Sequence, residues 1–142
     1  MTIASALAAV DALKPNAYTA AQKIAWLDEC EKRVLTEVIS NHELTDAEEA
    51  LYGAYAGYDS LTDTDTELLV PDPYSVLYRW WLEANIDLTN MELGKYNNST
   101  RLYKEALSDF AGWWLRTHMP IYQATRIEDG VVVDEQITHI KF

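Results

Sequence analysis

The sequence has 142 residues, of which 49% are hydrophobic and 24% charged, a composition typical of one globular domain and not of a disordered chain. Its 23 acidic and 11 basic side chains give a formal net charge of −12, which disfavours unspecific binding to DNA, RNA or anionic membranes. The single cysteine, Cys30, excludes an internal disulfide framework, and no apolar run reaches the roughly 18 residues of a membrane span. Because the N-terminus also lacks a signal-peptide pattern, these features predict an intracellular, soluble protein.

Two helices are predicted in the first third of the chain. Residues 2–14 carry apolar side chains every three or four positions, which is the pattern of one helical face. The second helix is predicted to begin at Thr19, where Thr-Ala-Ala-Gln matches a capping box, and to end near Asn41. Its apolar stripe, with Cys30 near the edge, is expected to face the core. The charged side chains expected on the opposite side are Asp28, Glu29, Glu31, Lys32 and Arg33.

The middle of the chain concentrates the acidic excess. Between Arg33 and Arg79 the sequence has no Lys or Arg, yet it carries ten Asp and Glu residues. A capping-box pattern at Thr45 predicts one or two helical turns as far as Tyr55. Residues 59–67 are polar, acidic and Thr-rich, and they are predicted to form an exposed loop. The acidic-loop candidates are Asp59, Asp63, Asp65 and Glu67.

Two longer helices are predicted after the acidic stretch. Asp72-Pro73 is typical of a helix start, with Asp72 capping and Pro73 in the first helical position. An apolar seam predicts that this helix continues to about Tyr96. Residues 97–99 are predicted to form a tight connection, and a fourth helix is predicted over residues 100–117. A connection of this length makes the two helices an antiparallel pair.

The C-terminal segment is predicted to be a β-hairpin. Asp129-Gly130 stands between two β-compatible runs, which is a strong signal for a two-residue turn, and the second arm extends through Ile137 and Ile140. A lone two-stranded hairpin is marginal in water, so it is expected to dock on the helices or pair with another chain. Residues 1–120 are therefore predicted to form a helical domain, with residues 121–142 as the hairpin tail of the same domain.

Two pairs of adjacent tryptophans admit two interpretations. Adjacent residues point about 100° apart on a helix, so if Trp81 and Trp114 face the core, Trp80 and Trp113 lie at its edge or outside it. An exposed tryptophan is typical of a binding interface, whereas a second packing contact inside the monomer explains the pattern equally well. The interface candidates are Trp80, Trp113, Val131 and Val133.

No pattern for catalysis, a metal or a cofactor is found. The residues His42, His118 and His139 lack metal-ligand spacing, and the glycines form no phosphate-binding loop. Residues 63–67 alternate acids like a calcium loop but lack its turn glycine and closing glutamate, so an exposed loop is favoured. A solvated outer face is predicted for the acids of the last two helices, which are Glu83, Asp87, Glu92, Glu105 and Asp109. We therefore predict no catalytic residues, no cofactor and no enzymatic activity.

Several short stretches share their pattern with one group of proteins. They are Leu68-Leu-Val-Pro-Asp-Pro-Tyr74, Tyr78, Leu82-Glu83-Ala84, Ile86-Asp87, Tyr96-Asn97-Asn98-Ser99, Arg116-Thr117-His118-Met119-Pro120, and the opening Ala-Leu-Lys-Pro-Asn-Ala-Tyr18 with Trp26-Leu27. In these stretches the chain resembles small structural proteins of Gram-positive bacterial prophages, a group associated with the head–tail connector, or adaptor, proteins of long-tailed phages. The predicted hairpin is not part of the shared pattern.

The resemblance implies a helical subunit that forms a ring between the portal and the tail. The implied partners are further copies of the chain, the portal and tail-side phage proteins, with DNA passing nearby but not bound specifically, and with no membrane. The implied location is the bacterial cytoplasm during assembly and then the virion neck. An acidic loop that faced the channel would repel phosphate and let DNA slide.

The fold prediction is a mainly α-helical domain: a four-helix connector-like bundle with an acidic middle loop and a C-terminal β-hairpin. Three alternatives to the connector function stay open. One is a tail-completion or neck protein of the same virion. Another is a small acidic helical binding or regulatory module that docks a basic protein partner. A metal-dependent helical hydrolase has the least support, because its ligand motifs are missing.

Overall fold

The chain is mainly helical in a computed structural model that describes the backbone of residues 1–128 and 131–137 and the side chains of residues 1–121. Its α-helices are α1 (Ile3–Leu13), α2 (Ala20–Glu37), α3 (Asp46–Gly53), α4 (Val76–Thr89) and α5 (Leu93–Thr117), with a 3₁₀ turn at Ile39–Asn41. Two strands, β1 (Tyr122–Glu128) and β2 (Val131–Ile137), pair antiparallel. The predicted turn Asp129-Gly130, together with His139 and Ile140, lies outside the described residues.

The core lies between α1, α2, α4 and α5, and the α4–α5 contact is the most extensive between helices. Leu27 of α2, Leu77 and Ile86 of α4, and Phe110 of α5 are all fully buried. Burying one such side chain stabilises the folded state by roughly 1.5–3 kcal/mol, so these residues hold the four helices together.

Two predicted helix starts are confirmed by their caps. The Thr45 hydroxyl accepts from the Glu48 amide at 3.2 Å, and the Glu48 carboxylate accepts from the Thr45 amide at 3.0 Å, which completes the predicted capping box of α3. Thr19 caps α2 through the Gln22 amide at 3.2 Å, and α1 falls within its predicted range. A cap and its hydrogen-bond partner lie only three positions apart, so the sequence alone predicts the cap.

The predicted boundary between the last two long helices is wrong. α4 ends at Thr89 and not near Tyr96, and α5 already begins at Leu93. Residues 97–99, predicted as the connection, are therefore part of α5, and the real connection is formed by residues 90–92.

A Schellman motif makes this short connection. The amides of Met91 and Glu92 donate to the carbonyls of Leu88 and Asp87 at 3.0 and 2.9 Å. Met91 occupies the left-handed position of the motif at φ 61°, where glycine is the usual residue. Because a methionine stands there, the sequence offers no glycine signal for the turn, and the helical pattern continues through it.

The start of α4 also differs from the prediction. The helix begins at Val76, with Ser75 in the N-cap position, and the Asp72-Pro73 peptide bond before it is cis. The Asp72 carboxylate accepts a hydrogen bond from the Ser75 hydroxyl instead of capping a helix amide. Residues 71–75 form a turn and not the first helical turn.

Two acids of α4 are buried, contrary to the predicted solvated face. Asp87 is fully buried, and it accepts hydrogen bonds from the Lys14 ammonium group and, at 2.8 Å, from the Ser99 hydroxyl of α5. Glu83 is buried and accepts from Arg79 at 3.3 Å. Asp87 thereby joins α4 to α5 and to the end of α1. The other acids of that predicted set, Glu92, Glu105 and Asp109, are exposed.

Candidate functional site: an acidic segment and a groove

The acidic segment, residues 59–67, lies on the surface between α3 and α4. Asp59, Asp63 and Asp65 are exposed, as the sequence predicted. The Glu67 side chain is 72% exposed, and its carboxylate accepts from the Met1 ammonium group at 3.1 Å. These four acidic-loop candidates are therefore brought together on one surface segment.

A buried carboxylate of α2 binds residues on both sides of this segment. Glu31 accepts hydrogen bonds from the Tyr58 hydroxyl at 2.7 Å, from the Leu69 amide at 2.9 Å and from the Tyr78 hydroxyl. Its side chain is fully buried, so the prediction that it lies opposite the core is wrong. Burial raises the pKa of Glu31, against the effect of these three donors. The donors lie 27 to 47 positions away, which no local pattern shows.

A second acid of α2 holds the N-terminal side of the segment. The Asp28 carboxylate accepts from the Tyr58 amide at 2.9 Å and from the Tyr55 hydroxyl, and it forms an ion pair with Lys32 at 2.8 Å. Burial opposes ionisation, but the bonds from Lys32, Tyr55 and Tyr58 outweigh it and lower the pKa of Asp28. The Asp28 carboxylate is therefore ionised at neutral pH, and it holds the residues just before the acidic segment against α2.

Backbone bonds tie the segment to the start of α1. The Ile3 amide donates to the Thr66 carbonyl at 3.1 Å, and the Ala4 amide donates to the Thr64 carbonyl at 2.9 Å. Amides in the first turn of a helix have no partner within the helix, and here the segment supplies it. The acidic segment thus has a defined shape although it contains no helix or strand.

A turn inside the segment presents one apolar side chain. The Asp59 carboxylate accepts from the Leu61 amide at 2.8 Å, and the Asp59 carbonyl accepts from the Thr62 amide at 3.1 Å. Leu61 is 90% exposed, the highest value among the exposed large apolar side chains of the described residues. Leu61 was not among the predicted site residues, although it is the one large apolar residue among these acids.

A groove of about 390 Å³ lies between α2, α4 and α5, away from the acidic segment. We call it the α2–α4–α5 groove; the lining residues that matter here are Glu29, Arg33, Trp81, Leu88, Tyr103 and Lys104. The Trp81 and Tyr103 rings pack with centroids 5.0 Å apart, and the Trp81 indole donates to the Trp26 carbonyl at 2.6 Å. These contacts fix an aromatic floor.

The rim of the groove carries two cations. The Arg33 side chain is 59% exposed, and its guanidinium lies 5.5 Å from the centroid of the Trp81 ring. Lys104 is exposed and makes no ion pair with any side chain in residues 1–121. Glu29 is the one acid among the lining residues, and Glu37 of α2 forms an ion pair with Arg33 at 3.7 Å, so the rim carries cations and acids side by side.

The tryptophan interface candidates make contacts inside the monomer. Trp80 is half-buried under the Arg79 guanidinium, which lies 4.1 Å from its ring centroid. Trp113 is half-buried, and its ring stacks on the Tyr74 ring with the centroids 5.2 Å apart. Their interface role stays a prediction. The candidates Val131 and Val133 lie in β2, outside the part of the chain whose side chains are described.

The residues with reactive side chains occupy structural positions. Cys30 is fully buried, and burial raises the pKa of its thiol. The His118 ring stacks on the Trp114 ring with the centroids 3.6 Å apart. Its Nε2 atom lies 2.7 Å from a carboxylate oxygen of Glu48, which links the end of α5 to α3. Within residues 1–121, no three His, Cys, Asp or Glu side chains are placed to hold a metal ion together.

Comparisons of the chain with protein-family models, with curated proteins and with solved structures found no match. Over the described residues, none of the helices combines the length and the apolar character needed to cross a membrane.

Proposed function

We propose that the chain is a structural subunit of a phage or prophage virion, a head–tail connector that assembles as a ring between the portal and the tail. The observation that carries the proposal is the acidic segment, which is exposed and yet held in a fixed shape by Glu31, Asp28 and α1. The subunit works by docking and performs no chemistry of its own. It acts in the bacterial cytoplasm during assembly and in the virion neck afterwards.

A fixed acidic surface suits a wall along which DNA must slide. Lys and Arg supply most of the attraction of proteins for DNA phosphates, so a surface of carboxylates repels them. Because hydrogen bonds at both ends hold the segment, its carboxylates cannot fold away from an approaching duplex. The proposal accordingly places residues 59–67 towards the lumen of the ring.

The finer architecture is part of the same proposal. The long helices form the connector-like bundle, and the C-terminal strands form a hairpin that completes a contact with a neighbouring subunit or with the portal. A two-stranded sheet gains stability from such a contact, because alone it is marginal in water. Trp80, Trp113, Val131 and Val133 are the residues proposed for these interfaces.

Assembly with a portal protein tests this function. The full chain is mixed with the portal protein encoded in the same genome, and the products are separated by sedimentation and imaged by electron microscopy. We expect rings of the chain on one face of the portal and no retention of duplex DNA by the chain alone. Failure to bind the portal, or a gene position away from the capsid and tail genes, overturns the proposal.

The alternative function is a small acidic module that docks a basic protein. The exposed Asp59, Asp63 and Asp65 favour it, because they offer an uncompensated acidic surface. Such a module forms a complex of fixed, low stoichiometry whose affinity falls steeply with salt. Rings on the portal that persist in salt decide for the connector, whereas a salt-sensitive one-to-one complex with a basic protein decides for the module.

A further inference from the structure

We propose that the outer edge of β1 in one copy pairs with the outer edge of β2 in the next copy, so that the strands of successive copies form one continuous antiparallel sheet. The proposal deepens the proposed function, on which it rests for the expectation that copies of the chain form a ring. It names the two strand edges that meet between neighbouring copies and the register in which they pair.

Each strand has one edge without a partner in the described part of the chain. β1 and β2 form a sheet of two strands and pair only with each other. Over the same residues, neither strand packs extensively on a helix. Two strands alone are marginally stable in water, and an open edge can bond to a further strand. The strand pair therefore gains stability when another strand binds at its edge.

Contacts at the start of β1 show which of its backbone groups point outwards. Residues 119–121 pair with residues 41–43 through two backbone hydrogen bonds, one to the Met119 carbonyl at 2.6 Å and one from the Ile121 amide at 2.9 Å. Backbone groups alternate between the two sides of an extended chain, so those of residues 123, 125 and 127 point to this same side, away from β2. Their partners in β2, residues 136, 134 and 132, point away from β1 by the same alternation. These six residues form the two outer edges.

The charges along the strands favour pairing of β1 with β2 of a second copy. β1 contains one base, Arg126, and one acid, Glu128, whereas β2 contains the acids Asp134 and Glu135 and no base. Pairing two β2 strands brings the acids of both copies together, and like charges opposite one another destabilise a sheet. Pairing β1 with β2 instead places a base beside the acids. Because every copy carries both edges, this contact repeats from copy to copy, as a ring requires.

One register pairs the base with an acid and lets the outward-facing backbone groups of the two edges bond. In this register Arg126 lies opposite Glu135 of the next copy. A slip by one residue would turn the backbone groups of one edge away from the other. Ile137 of the next copy lies opposite Ala124, so the neighbouring strand ends before the stretch of edge that residues 41–43 occupy.

This register also lets the sheet close on itself. Within one copy Arg126 lies opposite Val133, so the strand of the next copy is displaced by two residues from that pairing. Each copy adds two strands and a stagger of two residues, and the total stagger therefore equals the number of strands. A closed barrel with this ratio has strands tilted by about 36°, which is usual for β-barrels. A ring of any number of copies then has no open strand edge.

Disulfide trapping tests the pairing and its register. Full-length Ala124→Cys and Ile137→Cys variants are mixed and oxidised, because the two positions form a pair without hydrogen bonds, with Cα atoms about 4.5 Å apart. We expect a disulfide between the two variants and at least about tenfold less dimer from either variant alone. The register control is Tyr122→Cys mixed with Ile137→Cys, which is displaced by two residues and is expected to yield little dimer. Cys30 does not compete, since it is fully buried.

Charge reversal tests the pairing of Arg126 with Glu135. Arg126→Glu and Glu135→Arg each turn an attractive pair into a repulsive one, so we expect each variant alone to associate about tenfold more weakly than the native chain. An equimolar mixture is expected to associate like the native chain, because each variant then meets the opposite charge in its neighbour. Asp109→Arg, on the exposed face of α5, makes the same change of charge as Glu135→Arg and is the control, with no loss expected. Sedimentation velocity up to about 1 mM measures association, and circular dichroism checks that the variants fold.

The outcomes separate this proposal from the connector function. The strand pairing is overturned if the native chain stays monomeric up to about 1 mM, if the mixture of charge variants is not rescued, or if Ile137→Cys prefers Tyr122→Cys to Ala124→Cys. Ala124→Cys that dimerises alone as readily as in the mixture indicates two β1 strands related by a two-fold axis, which also overturns it. In each case rings on the portal still decide the connector function. Trapping and rescue without any binding to the portal support the strand pairing and overturn the connector.

Discussion

The buried acids of α2 and α4 and the exposed acids of residues 59–67 have opposite environments in the same fold. Glu31 and Asp87 are fully buried, and each accepts hydrogen bonds from residues distant in sequence. Asp63 and Asp65, in contrast, are exposed to solvent. Buried acids thus connect structural elements by hydrogen bonds, whereas the exposed acids contribute negative charge to the surface. The net charge of −12 therefore overstates how many acids shape the surface field.

The comparison also shows how the two regions depend on each other. The exposed segment keeps its shape because Glu31 binds Tyr58 and Leu69 on its two sides. An acid inside the core therefore positions acids on the surface. Variants of the buried acids are expected to change stability strongly, whereas variants of the exposed acids are expected to change it little.

The largest effect is expected at Glu31. Glu31→Ala leaves the hydroxyls of Tyr58 and Tyr78 and the Leu69 amide without their acceptor, which we expect to lower the free energy of unfolding by about 3–5 kcal/mol. Urea unfolding followed by tryptophan fluorescence measures it. The control Glu29→Ala alters an exposed acid of the same helix and is expected to cost less than about 0.5 kcal/mol. Equal losses in both variants would remove the distinction between buried and exposed acids.

The second-largest loss of stability is expected at Asp87. Asp87→Ala removes the acceptor of Lys14 and Ser99 and loosens three helices at once, so we expect a loss of about 2–4 kcal/mol in the free energy of unfolding. Asp109→Ala, on the exposed face of α5, is the matched control and is expected to stay within about 0.5 kcal/mol of the native chain. Thermal unfolding at one pH compares the two.

The pH dependence of stability gives a further test of Glu31. Burial raises the pKa of Glu31 in the folded state. Its contribution to the free energy of unfolding is therefore complete below the ordinary carboxyl pKa, and it declines as pH rises through the raised pKa. Glu31→Gln mimics the protonated acid and removes that decline. Relative to the native chain, the variant should gain stability as pH rises across this window, by at most about 1.4 kcal/mol per pH unit. A difference that stays constant with pH contradicts this prediction.

A smaller gain is expected at the connection between α4 and α5. Met91→Gly removes the cost of a left-handed methionine, partly offset by the greater freedom of glycine in the unfolded chain. We expect a net gain of about 0.5–1 kcal/mol in the free energy of unfolding. Met91→Ala keeps the unfavourable backbone conformation and is the control, with no gain expected. Chemical denaturation of the two variants side by side measures the difference.

The smallest effect is expected in the displayed region. Asp65→Asn removes one exposed charge whose side chain makes no hydrogen bond or ion pair with the described residues. We expect the free energy of unfolding to change by less than about 0.5 kcal/mol. A loss comparable to that of Glu31→Ala would show that the segment is itself a structural element and would end the contrast between the two regions.

The sequence predicted the features that depend on near neighbours. The caps at Thr19 and Thr45 and the exposure of residues 59–67 follow from residue types within a few positions. Four principal helices were expected, and each overlaps a helix of the structure, although the boundary between the last two was misplaced. That error arose at Met91, where a methionine takes a conformation normally assigned to glycine.

The candidate site was less accessible to sequence reasoning. By position Glu31 falls on the same face of α2 as Leu27 and Val34, and only its charge led to the prediction that it lies opposite the core. Its partners Tyr58, Leu69 and Tyr78 lie on distant segments that only the fold brings together. The α2–α4–α5 groove likewise combines residues of three helices, such as Arg33, Trp81 and Lys104. No spacing along the chain indicates such a site.

The tethering of residues 59–67 also determines how the backbone there should respond to solvent. The amides of Ile3 and Ala4 donate into the segment, and those of Leu69 and Val70 donate to Glu31 and to the Tyr78 hydroxyl. Protons on amides bonded in this way exchange with deuterium only when the structure opens. The amides of Ile3, Ala4, Leu69 and Val70 should therefore exchange as slowly as helical amides, although they adjoin a segment with the composition of a flexible linker.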